Sequence, residues 1–162
     1  MDRGMLLRKN LLEKDCAFIA TITADYGSFV HTFQMDCTAN AAGELHFTVI
    51  KPDSISGITG SFSAAGGKLT FDKEILLFEM LADGQITPVS APWMMIRTLQ
   101  QGYMHACGFE GDGLRLQLHD SYRDDALQMD IWTDANDNPV CGEIVFAGRR
   151  ILSVDVENFA FM

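Results

Sequence analysis

Residues 127–161 read LQMDIWTDANDNPVCGEIVFAGRRILSVDVENFAF, and this stretch decides the fold. Leu127, Met129 and Ile131 alternate with Gln128, Asp130 and Trp132. A cluster of Asp134, Asn136, Asp137, Asn138 and Pro139 follows, then an apolar run Val140–Phe146. Gly148 opens a turn into Ile151–Val156. Period-two alternation bounded by Asn, Asp, Gly and Pro is the signal of antiparallel strands joined by tight turns. The stretch therefore predicts three strands of an antiparallel meander.

The same pattern extends upstream. Phe18–Ala24 is rich in Ile and Thr, and Tyr26–Gly27 predicts a turn. Phe29, His31, Phe33, Met35 and Cys37 then share one face of a long strand, and Leu45, Phe47 and Val49 share one face of the next. Pro52 ends that strand, because proline has no N–H for a ladder. Ser54–Phe62 predicts a further strand, with Gly57 and Gly60 marking a bulge or a close backbone approach. Ala65–Gly67 predicts a turn into Leu69–Phe71, and Ile75–Leu81 reads as another strand before a loop over 82–90. Tyr103–Phe109 and Leu114–His119 flank a turn at Gly111–Gly113, and a polar loop covers 120–125.

Two segments break the period. Met5–Lys14 predicts a helix with Leu6, Leu7, Leu11 and Leu12 on one face. Pro92, Met95, Ile96 and Leu99 follow helical spacing, with Ser90 at the N-cap and Gly102 at the C-cap. The expectation is a mainly β (α+β) single domain over 1–162, with about ten or eleven strands, an N-terminal helix and a central helix.

Composition bounds the function. The 162 residues carry 22 acids and 12 bases, a formal charge of −10. That field repels phosphate backbones and argues against nucleic-acid binding. No run of about 18 apolar residues exists to span a membrane as a helix. Cys16, Cys37, Cys107 and Cys141 lack zinc or redox spacing; they read as apolar strand residues, with one or two disulfides open as an alternative. The four histidines are isolated, so no metal site and no cofactor is expected. No nucleophile elbow, phosphate loop or dinucleotide fingerprint is present, and a calcium loop from Asp134 fails at Pro139. The chain reads as non-enzymatic. An enzyme would need His105, Cys107 and His119 to converge in a cleft.

The apolar surplus is the remaining signal: nine methionines and eleven phenylalanines. Methionine suits a pocket that accepts variable apolar shapes. With the segments GELHFTVIKPDSISGITGSF, GGKLTFDKEILLFEM, APWMMIRTLQQG and DIWTDANDNPVCGEIVFAGRRILSVDVENFAF in this order, the chain resembles the LolA-like superfamily of lipoprotein carriers, receptors and lipid-carrying lipoproteins. More narrowly it is similar to lipoproteins of Gram-positive gut bacteria. The resemblance implies a strongly curved antiparallel sheet forming an unclosed half-barrel, with the two helices covering the concave face. It implies that lipid or lipoprotein acyl chains bind in an apolar concavity, lined here by Phe33, Met35, Phe47, Val49, Phe71, Phe78, Trp93, Met94 and Ile96. It also implies an extracytoplasmic, envelope-associated monomer whose partner is a lipid or an acylated lipoprotein. No export signal or lipobox stands in the sequence as written, since LEKD precedes Cys16; the expectation is that the signal was truncated or the start misplaced. The alternative is an interaction or envelope-sensing module on the same scaffold, contacting an envelope protein through the helix at 92–101 and an exposed sheet edge.

Overall fold

A computed structural model describes residues 2–63, 66–69, 88–119 and 127–162. Helix α1 spans Asp2–Glu13. Strands β1 (Cys16–Asp25), β2 (Val30–Ala39), β3 (Leu45–Lys51), β4 (Thr59–Ser63) and β5 (Gly66–Leu69) follow. Helix α2 spans Ala91–Gln101, and β6 (Tyr103–Glu110), β7 (Gly113–His119), β8 (Gln128–Thr133), β9 (Pro139–Phe146) and β10 (Arg149–Phe161) complete the order.

The described strands form one antiparallel sheet in the order β5-β4-β3-β2-β1-β10-β9-β8-β7-β6. Within β1–β5 and within β6–β10, strands consecutive in sequence are neighbours in space, and β1 pairs with β10 to join the two runs. The sheet thus consists of two meanders sewn together by the first and last strands. β5 and β6 end the order without pairing to each other, so the sheet is not closed into a barrel. Irregular registers curve it. One lies between β1 and β10, where Ala17 pairs with Ala160 but Ile19 with Glu157. Asn158 takes the left-handed conformation there, at φ 56°. Another lies between Met104 and Ala106 of β6. Each extra residue bends its strand and adds twist.

Alternation sorts the side chains as the sequence predicts. Leu114, Leu116 and Leu118 are buried, as are Leu127, Met129 and Ile131. Both helices lie on this apolar face: Leu7 and Leu11 of α1 and Met95, Ile96 and Leu99 of α2 are at most 2% exposed. Burying side chains of this size contributes about 1.5–3 kcal/mol each.

Three expectations need correction. Leu6 and Leu12 do not share the buried face of α1; they are 53% and 45% exposed. They sit about 100° of helix rotation away from Leu7 and Leu11, which are one i, i+4 pair. The strand expected from Ser54 starts only at Thr59. After Pro52 the chain makes a short 3-10 turn at Asp53–Ile55, and Gly57 stands at φ +92°. The turn expected at Ala65–Gly67 does not include Gly66 and Gly67, which lie in β5 and pair with Ser63 and Phe62. The expected strand at 75–81 and the loop at 120–125 lie outside the described residues.

Candidate functional site

The site expected from the sequence maps onto the face beneath α2. Phe33 and Met35 project from β2, and Phe47 and Val49 from β3, all 0–3% exposed. Register brings Met35 opposite Val49. Ile96 meets the same core from α2, while Trp93 and Met94 are partly buried against it. Phe71 and Phe78 lie outside the described residues. Among the described residues Phe33, Met35, Phe47, Val49 and Ile96 are buried in one apolar cluster.

An aromatic ladder marks one flank of α2. The rings of Phe47 and Phe62 stack at 5.7 Å, and Phe62 and Trp93 at 6.0 Å. Trp93 Nε1 donates to the Gly43 carbonyl at 2.9 Å. Gly43 stands at φ +88°, in the left-handed region where glycine is unstrained, and a Cβ there would approach Arg97 and Gln100. The β2–β3 turn and α2 are therefore fitted to each other.

The far end of α2 is fixed by α1. Arg8 Nε donates to the Leu99 carbonyl at 2.7 Å, and Nη2 donates to the Gly102 carbonyl at 2.6 Å. Burial lowers the Arg8 pKa, yet arginine stays charged at any physiological pH. Gln100 Nε2 donates to the Leu11 carbonyl at 3.0 Å. Gly102 closes the helix as expected, but in extended conformation, with φ −68° and ψ 164°. Its glycine is needed for space: a Cβ would lie 2.6 Å from the Thr98 carbonyl and 3.1 Å from that of His119.

Beside α2 lies a pocket of about 380 Å³, lined by Trp93, Met94, Arg97, Thr98, Gln101, Gly102 and Tyr103. It joins an apolar end at Trp93 and Met94 to a cation and polar groups. Sequence reasoning found Trp93 and Met94 and missed the rest. The signal was available, because Trp93–Arg97 and Met94–Thr98–Gln101 follow the i, i+4, i+7 spacing of one helix side. A second pocket, about 360 Å³, opens on the outer face among Asp36, Thr38, His46, Thr48 and Ser61 and is mostly polar.

Of the groups an enzyme would need, His105 and His119 stack at 5.1 Å, and no group of three or more metal-ligating side chains comes together among the described residues. All four cysteines are free thiols, so the disulfide alternative is not realised. No described helix is long and apolar enough to cross a membrane.

No protein-family model matches the chain, and no curated protein matches it in sequence. Solved structures do. One is an uncharacterized conserved protein from Thermus thermophilus: 14% identity, 99% of this chain and 86% of that one, TM-score 0.50. Another is a LolA superfamily protein from Nitrosomonas europaea: 9% identity, 98% and 93% covered, TM-score 0.43. A third is a DUF1329 family protein from Desulfovibrio piger: 7% identity, 99% and 90% covered, TM-score 0.47. At 14% identity, the likeness to the Thermus protein is one of fold.

Proposed function

We propose that this domain binds lipid or lipoprotein acyl chains non-covalently against the concave face that α2 covers. One observation carries the reading. An unclosed antiparallel sheet presents a continuous apolar face, and an eleven-residue helix with a partly buried Trp93 and Met94 on its flank lies across it. Phe33, Met35, Phe47, Val49 and Ile96 are the groups an acyl chain would meet under α2, with Phe71 and Phe78 added from the sequence pattern. Because these side chains are buried in the core cluster, binding requires α2 to shift and the chain to take its place. Each sequestered methylene contributes about 0.8 kcal/mol, so a long chain offsets the contacts that α2 gives up. We carry the extracytoplasmic location of the resembling lipoproteins as part of the same proposal.

A fluorescent fatty acid is the probe. Titration should give saturable binding that an unlabelled long-chain fatty acid competes away. Met94→Glu should weaken it by about tenfold or more, from the lost apolar contact and the buried charge. Absence of saturable binding to the wild type would remove the proposal.

A second reading, an interaction module, draws on the edge strand β6. Phe109 is 76% exposed there and Tyr103 39%. A protein that binds no lipid yet loses a partner on Phe109→Ser would favour it.

A further inference from the structure

A cation lines the pocket beside α2. It is Arg97, whose Nη1 is buried without a hydrogen-bond partner among the described residues. The guanidinium carbon lies 5.7 Å from the Trp93 ring centroid, so its one described polar contact is with an aromatic face. The other described arginines differ. Arg3 pairs with Asp137, Arg115 with Asp130, Arg149 with Asp25 and Arg150 with Glu143. Arg8 is spent on backbone carbonyls. In a chain of net charge −10, carboxylates are abundant, yet none is set against Arg97 among the described residues.

A buried donor atom without an acceptor is costly, and such atoms in native proteins call for an explanation. An anionic ligand supplies one. We infer that Arg97 receives the anionic headgroup of an amphiphile, a carboxylate or a phosphate, whose hydrocarbon part runs along Met94 and Trp93 toward Phe62. The inference rests on the lipid-binding reading and adds to it the headgroup class and the residue that selects it. The geometry suits the division of labour. Trp93 and Met94 give the apolar end, and Arg97, with Gln101 and Tyr103, gives the polar end of a pocket of about 380 Å³. That volume lies at the low end of small-ligand sites and takes a headgroup with the first part of a chain. The planar fork of arginine matches either oxyanion in bidentate fashion.

The test is calorimetric titration of the full chain at pH 8, below micelle formation. The ligands are a saturated long-chain fatty acid, the matching alkyl phosphate and the matching fatty alcohol. The wild type should bind at least one anionic ligand about tenfold or more tighter than the alcohol. Arg97→Gln should remove that preference, and Arg97→Lys should restore part of it. Thermal unfolding without ligand keeps the variant interpretable: Arg97→Gln, which removes a donor atom left without an acceptor, should unfold no lower than the wild type. The tighter of acid and phosphate names the headgroup. Equal affinity for acid, phosphate and alcohol overturns the headgroup inference and leaves the lipid reading standing. No binding of any of the three overturns both. A preference that survives in Arg97→Gln assigns the headgroup contact to another residue and also overturns the inference.

Discussion

Arg8 of α1 donates from Nε to the carbonyl of Leu99 in α2 at 2.7 Å, across 91 residues of sequence. The last carbonyls of a helix have no partner within it, and a cation there also meets the negative end of the helix dipole. One side chain thus holds the C-terminal turn of the helix that covers the sheet. Arg8→Ala should cost about 2 kcal/mol, the value of hydrogen bonds from a charged donor. Chemical denaturation should show a lower midpoint with an unchanged slope. An unmoved midpoint would mean that α2 is held by its apolar contacts alone.

Gly113 and Thr133 supply a second prediction. A Cβ at Gly113 would lie 1.8 Å from the Thr133 carbonyl oxygen, while the Leu114 N–H donates to Thr133 Oγ1 at 3.0 Å. Gly113→Ala should therefore cost about 3 kcal/mol or more by forcing β7 and β8 apart. Gly57→Ala is the comparison. It has open space around it but φ +92°, so it should cost only about 1 kcal/mol of backbone strain. Equal losses at the two sites would contradict the steric account.

The thiols should respond to pH as buried groups. Burial, aided by Asp15, pushes Cys16 up to about 12. Burial first, then Asp155, raises Cys141 to about 11, and burial raises Cys37 further still. Below about pH 8.5, where free thiols titrate, both folded and unfolded chains keep these protons. Above it the unfolded chain ionises first, so stability should fall as pH rises from about 8.5 through 11. At pH 8, iodoacetamide should leave Cys16 and Cys37 unmodified in the native protein and alkylate them in denaturant. Rapid native alkylation at Cys37 would show that the core opens.

Asp25 behaves in the opposite sense. It accepts from the Gly27 N–H at 2.8 Å and from Arg149 at 2.9 Å, and its carboxyl is held below the usual range, the Gly27 bond first among the causes. Its contribution is complete above the unfolded value of about 3.9 and is lost as pH falls through the folded one. Asp25→Asn should flatten the acid limb of the stability profile, measured by urea unfolding between pH 5 and pH 2.

Much of the fold was legible because a strand has a period of two. Leu114, Leu116 and Leu118 declared their face without any knowledge of their neighbours, and Phe33, Met35, Phe47 and Val49 landed on the inner face for the same reason. What alternation cannot encode is which distant strands pair. The union of β1 with β10, which joins Cys16 to Phe161, is a long-range choice that no local pattern carries. Leu6 and Leu12 misled because four leucines in seven residues exceed the width of one helical stripe. Arg97 was passed over because a single arginine on an amphipathic helix reads as solvated. Its significance lies in the missing acceptor, a property of packing alone.

The central claim is that the concave face accepts acyl chains, and native mass spectrometry with organic extraction tests it most directly. The protein is purified from a lipid-containing host and compared with Met94→Asp. The account predicts a co-purifying fatty acid or phospholipid on the wild type, absent from the variant. A clean apo mass that stays unchanged after incubation with lipid would contradict it.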